Sequence, residues 1–273
     1  MALRYWVGGT GSWNASTGHW ALTSGGASTA AVPTSADDVI FDNLSNATAY
    51  TVTIITVAAT CKSLVIGKPA AGNVTFAGTT TALTIGAGSA TAVALSIAST
   101  NVTYTFNQAI TFTATGSVTI ATNGVALTNA LTFNGVAGTW TLSTALTTTG
   151  AVAHSNGTLA LNNLSLTCLT YTSASGTKAI AFGTSGNINL TGSSATIYAL
   201  TYLGFSYTGT SAFNTTYSGS TGTRTISGTG TPTEAQVQSF NITAGADTFA
   251  IVSTRFKNLI YTGFTGTTTG TSP

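Results

Sequence analysis

"LTFNGVAGTWTLS", residues 131–143, places apolar residues and Thr in alternation on either side of a glycine break. The cadence returns in "LALNNLSLTCLTYT" at 159–172 and in "IAFGTSGNINLTG" at 180–192. Apolar residues alternating with Thr or Ser over about five or six positions mark a strand with one buried face, and β-branched residues reinforce it. Working outward, "NVTFAG", "ALTIGAG", "ALSIAS", "VTYTFN", "AITFTA" and "SVTIAT" repeat the pattern between residues 73 and 122, each closed by Gly, Asn, Ser or a neighbouring turn residue. No stretch carries a convincing helical period. Turn signals every roughly 8 to 12 residues suit either a β-sandwich or a solenoid.

Three features favour a parallel β-solenoid, with the β-sandwich as the alternative. The runs resemble one another, as successive rungs do. No Asp, Glu, Lys or Arg occurs between Lys68 and Lys178; stacked rungs bring like positions to about 4.8 Å, where a charge would face its own kind while Thr and Asn form ladders. Turns are marked by Gly and Asn, with only 4 Pro in the chain, as expected where nearly every strand is paired on both edges.

Charged residues make up 4% of the 273 residues, against roughly 25% in ordinary globular domains, so the surface must be hydrated by Thr, Ser and Asn. The net charge of +2 comes from scattered basic residues, which argues against nucleic acid, since phosphate neutralisation needs a basic stripe. Mean hydropathy is +0.35, yet no apolar run reaches the roughly 18 residues of a spanning helix, and no membrane association is expected. "MALRYWVGGTG" lacks the apolar core and cleavage site of a secretory signal. Cys61 and Cys168 sit in strand-like runs, "TCKSLVI" and "LSLTCLTYT", and read as buried reduced thiols with no metal spacing.

A solenoid must blunt its ends. In "RYWVGGTGSWNASTGHW", residues 4–20, Trp6, Trp13 and Trp20 recur every seventh position across glycine turns, and "VPTSADDVIFD" then leads into the first clear strand. Large rings at that spacing read as a lid over the end of the core. The division expected is an aromatic cap at 1–45, a β-solenoid at 46–200 and a C-terminal β region at 201–273 that serves oligomerisation. The closing "NLIYTGFTGTTTGTSP" carries no evident capping signal, which leaves two readings, a partner that covers that edge or a natural chain that continues; self-association, most simply a homotrimer, would supply the cover.

The arrangement "YWVGGTGSWN…HW…GG…VPTSADDVIFD" resembles the start of β-solenoid proteins found in bacteriophage virions and tail fibres and in bacterial surface adhesins. The resemblance covers residues 4–42, and "FNGVAGTWTLSTALTTTG" and "NGTLALNNLSLTC" look like repeats of the same kind of protein. It makes Trp13, Trp20, Pro33, Asp37 and Asp38 family positions, which join Trp6 of the seven-residue Trp series in the structural cap, with His19 standing where the family usually has Asn. It implies a non-enzymatic structural component of a virion, a fibre or decoration protein assembled in the host cytoplasm, with other virion proteins as partners and a host cell-surface glycan as a candidate ligand. The alternative it implies is a surface adhesin at the bacterial cell surface.

The remaining constellations are bland. "GGTGS" lacks the strand before it and the helix after it that a dinucleotide fold needs, and no P-loop Lys follows. Asp37, Asp38 and Asp42 could bind Ca²⁺ or serve a glycosidase, but turn capping ahead of a strand is the simpler reading. Glu234 and Asp247 are far apart in unpatterned sequence, and His19 and His154 have no nucleophile signature beside them. Neither catalysis nor a cofactor is expected. For ligand or subunit contact the candidates are Tyr198, Tyr202, Phe205, Tyr207, Phe213 and Tyr217, whose faces could stack on sugar rings. Their parity changes near Gly204, however, which reads as two strands whose rings serve core or subunit packing.

Overall fold

The alternating runs become short strands, and the strands stack in register. The structure, a computed structural model, describes residues 2–271 apart from 16–17, 56, 68–73, 79–81, 87–91, 99–101, 105–108, 175, 194, 211 and 234–237. The chain is an all-β parallel solenoid, and no helix occurs among the described residues. Strands lie on three faces as far as residue 208, and the later strands continue on two of them. The first face runs from Leu3–Trp6 through Asp38–Phe41, Ser63–Ile66, Val93–Ile97 and Ser117–Ala121 to Lys178–Ala181 and Phe205–Thr208. The second starts at Ala59–Cys61 and passes through Leu83–Ile85, Ile110–Phe112, Tyr171–Ser173 and Ala195–Thr201 to Thr223–Thr229, Thr248–Val252 and Thr267–Thr271. The third holds Tyr50–Thr53 and Val74–Ala77, and later Ser165–Cys168, Asn187–Leu190, Ala212–Thr215, Ser239–Ile242 and Leu259–Tyr261.

Two long strands, Leu131–Leu142 and Val152–Ala160, turn the corner from the second face into the first. That continuity joins the two faces into one 18-stranded sheet beside sheets of four and six strands. The corner is crowded. Gly157 has φ 84, and a Cβ there would lie 2.7 Å from the Trp140 ring and 2.6 Å from the Gly135 carbonyl oxygen. Only glycine fits a positive φ with so little room.

The register sorts residues by chemistry. On the second face Cys61, Ile85, Phe112, Phe133 and His154 form one inward column, and Phe112 stacks on Phe133 at 5.2 Å. Between them Thr60, Thr84, Thr111 and Thr132 form an outward column, which hydrates the face without charge. On the third face an amide ladder runs along the stack: Asn214 donates to Asn189 at 2.9 Å and Asn241 to Asn214 at 2.8 Å. Such ladders replace the ion pairs that a parallel stack cannot easily hold.

At the N-terminal end Trp20–Ala21 pairs antiparallel to Leu3–Trp6, whose other edge pairs parallel to Asp38–Phe41. The hairpin-like cover occupies the exposed edge of the first rung. Trp6, Trp13 and Trp20 are buried beneath it. Trp20 meets Trp6 and Trp13 edge-on at 5.0 and 5.1 Å, and all three rings pack on Phe41, which meets Phe76 of the next turn at 5.0 Å. The Trp6 indole N–H donates to the Gly9 carbonyl and that of Trp20 to the Trp13 carbonyl. At the other end, parallel register continues from Ala195–Thr201 to Thr267–Thr271, so the strands after residue 201 are further turns of the same stack.

Candidate functional site

The aromatic residues between 198 and 217 lie mostly inside. Ala195–Thr201 and Phe205–Thr208 are separate strands joined by a turn at Gly204, φ 68, where the parity of the sequence changes. Tyr198, Tyr202, Phe205 and Phe213 are buried, while Tyr207 and Tyr217 are partly exposed. Tyr198 packs edge-on against Phe213 at 4.8 Å and its hydroxyl bonds that of Tyr207 at 2.9 Å. The Tyr202 hydroxyl reaches Thr254. The four buried rings offer no face to a sugar; Tyr198 and Phe213 meet the in-register rings Tyr171 and Phe240 of neighbouring turns, and Phe205 packs on Tyr207 beneath the Lys178 ammonium. Burial raises the hydroxyl pKa of both Tyr198 and Tyr207.

The cap acids serve turns. Asp37 accepts from the Thr34 amide at 2.9 Å and from its hydroxyl at 2.8 Å, and Arg4 lies 3.7 Å away. Burial works to raise the Asp37 pKa, but the Thr34 bonds and the Arg4 guanidinium outweigh it and hold the carboxyl below its ordinary value. Asp38 accepts from the Ser63 hydroxyl at 2.6 Å, joining two turns of the first face. Asp42 accepts the Leu44 amide in an Asx turn. Pro33 is buried beside this segment. Glu234 lies outside the described residues, and among the described residues no three His, Cys, Asp or Glu side chains gather as a metal site.

Three polar groups stand inside the stack where the sequence offered no pattern to find them. The first is an ion pair. Arg224 donates through Nε and Nη2 to the two Asp247 carboxylate oxygens, both at 2.7 Å, and both side chains are 0% exposed. Its Nη1 donates to Thr215 at 2.9 Å, and the rings of Tyr217 and Phe249 lie 5.2 and 5.3 Å from the guanidinium. Gly245, φ 107, leaves room for it: a Cβ there would be 2.6 Å from Nη2. The two residues are 23 positions apart, and only the length of that turn brings them together.

The second is Lys178, whose buried side chain sends its ammonium to the Gly176 carbonyl at 3.0 Å and the Leu203 carbonyl at 3.4 Å, over the Phe205 ring. Burial lowers its pKa. The third is His154, held between the Tyr171 hydroxyl at 2.8 Å and the Gly157 carbonyl at 3.0 Å. Burial lowers its pKa to about 4, against the opposing effect of the Gly157 bond, and the nearby Lys178 charge adds to the depression. The two thiols are free and buried, with pKa values raised by burial.

Above Lys178 the outer surface carries a groove of about 310 Å³ lined by Val136, Ala137, Thr158, Thr177, Lys178 and Ser206 among others. Val136 in that lining is 68% exposed, and Leu203, whose carbonyl accepts from the Lys178 ammonium, is 75% exposed. Apart from Lys178 the lining is apolar with a few hydroxyls, which suits contact with an uncharged surface. The chain matches no protein-family model, no curated protein and no solved structure.

Proposed function

We propose that the chain is a non-enzymatic structural component of a bacteriophage particle, a fibre or decoration protein, assembling with itself and with other virion proteins. The observation that carries this reading is the construction of the stack: parallel strand pairing from an aromatic lid at one end through to residue 271, with Arg224 paired to Asp247 and His154 bonded to Tyr171 inside it. Such an arrangement transmits shape along its axis and presents long uncharged flanks, which suits packing in an assembly. The Trp motif between residues 4 and 42, with its resemblance to virion β-solenoids, supports the same assignment. Charge-free flanks suit contacts made by apolar burial and hydroxyl or backbone hydrogen bonds.

The test is composition of the particle. Particles purified by density gradient from the phage that encodes the chain are to be digested and quantified by mass spectrometry, then labelled with antibody against the chain. The expected result is a fixed copy number per particle with label at a defined position. A chain missing from particles and found instead on intact bacterial cells would favour the adhesin reading.

A further inference from the structure

His154 occupies the inward column of the second face, between Phe133 of one turn and Ser173 of the next. The Gly157 carbonyl can only accept, so Nε2 carries the proton and Nδ1 accepts from the Tyr171 hydroxyl. Both ring nitrogens are therefore committed in the neutral form. A second proton would go to Nδ1 and point at the Tyr171 oxygen, whose own hydrogen would have to turn away from the imidazole, on a ring packed between Phe213 and Tyr198.

Among the described residues, no carboxylate beside the ring would balance the added charge. The strand Leu131–Leu142 supplies Phe133, edge-on to the imidazole at 6.2 Å. The strand Tyr171–Ser173 supplies the Tyr171 phenol and the Ser173 hydroxyl column, with Cys168 and Tyr198 close to Tyr171. The strand Lys178–Ala181 supplies a second cation, Lys178. None is a carboxylate, and the sequence has no Asp or Glu between Asp42 and Glu234. A hydrogen bond that His154 makes lies at the corner: Gly157 accepts it where Val152–Ala160 passes from the second face to the first, and its amide donates to Thr177 of the next turn.

We propose that His154 is an acid-sensitive lock on the middle turns of the solenoid, holding the corner at Gly157 closed while neutral and releasing it when an acidic medium forces a proton onto a site with no counter-ion. The sign follows from linkage. A solvated His takes up its proton below about pH 6.5, whereas folded His154 resists until about 4. The opened state binds more protons throughout that window, so closure weakens as pH falls through it and weakens no further below it.

Amide hydrogen exchange, referred at each pH to the intrinsic rate, measures the opening. Between about pH 7 and about pH 4.5 the opening equilibrium of Val152–Ala160 and Tyr171–Ser173 is expected to rise by roughly two orders of magnitude. Val93–Ile97, whose described neighbours carry no titratable side chain in that range, is expected to change far less. His154→Gln keeps a donor and an acceptor but does not titrate, so its ratio between the two pH values is expected to collapse towards that of Val93–Ile97, whatever its absolute stability. A parent protein whose middle turns show no acid response, or a glutamine variant with the parent's response, would overturn the proposal. Should the variant not fold, the His154 imidazole resonances of the parent decide: they are expected to stay neutral to below about pH 5, and an ordinary titration near 6.5 with protection unchanged overturns it.

Discussion

Removing the Asp247 carboxylate should cost this fold more than most single changes. Asp247 takes two guanidinium N–H bonds at 2.7 Å, and neither partner's side chain touches solvent. Without it, Arg224 retains the Thr215 hydroxyl, the Ala244 carbonyl and three ring faces, none of which neutralises its charge. Stranding a buried ion in this way costs about 3–5 kcal/mol. Replacing both partners with apolar residues of similar volume is often neutral or stabilising, so Arg224→Met with Asp247→Leu should recover most of what Asp247→Ala loses. The assay is urea unfolding read alongside hydrogen exchange of Thr223–Thr229 and Thr248–Val252, since a stack of turns can open in parts. The loss should persist in about 1 M salt, because a pair shut off from solvent is poorly screened. An alanine variant within about 0.5 kcal/mol of the parent, or a double variant no better than the alanine single, would refute the reasoning.

Trp13→Ala should lose about 3–5 kcal/mol and drive end-to-end association, seen by melting and by light scattering together; Trp13→Phe should lose much less, since the Trp13 indole N–H has no hydrogen-bond partner to forfeit. Cys61 and Cys168 should resist thiol reagents in the native protein and react in denaturant, because burial keeps both thiols protonated; rapid native labelling of either would contradict their placement. The oligomer, expected to be a trimer, should keep its mass by light scattering from about 0.05 to about 1 M salt, because residues 69–177 contain no charged side chain and apolar contacts are not screened; a monomer at micromolar concentration, or dissociation in high salt, would count against it.

Much of the architecture was legible because alternation and turn residues are local signals. The runs around residues 74–77, 83–85, 110–112 and 131–142 are strands as read, and Gly204 does separate two of them. Trp6, Trp13 and Trp20 could be placed together because their spacing and the glycine turns lie within one short segment. What the sequence hid depends on register. Val152 sits opposite Tyr171, 19 positions on, whereas Leu64 sits opposite Leu95, 31 positions on, so no fixed period exposes the columns. The quartets "AATC", "ALTI", "AITF" and "ALTF", beginning at Ala58, Ala82, Ala109 and Ala130, are the signal that could have aligned the second face, since their Thr residues pair in order. Arg224 and Asp247 had no such signal, as neither repeats. The parity change at Gly204 already turned the aromatic residues from Tyr198 to Phe213 towards core or subunit packing, but which of the two each ring serves depended on the neighbouring turns that bury Tyr198, Tyr202, Phe205 and Phe213.

A density map of the intact particle, at a detail that lets side chains be traced, tests the account most directly. A stack of parallel turns is expected within it, with Trp6, Trp13 and Trp20 closing one end and the column from Thr60 to Thr132 on an outer face. A complete map whose density is fully explained by other chains would contradict it.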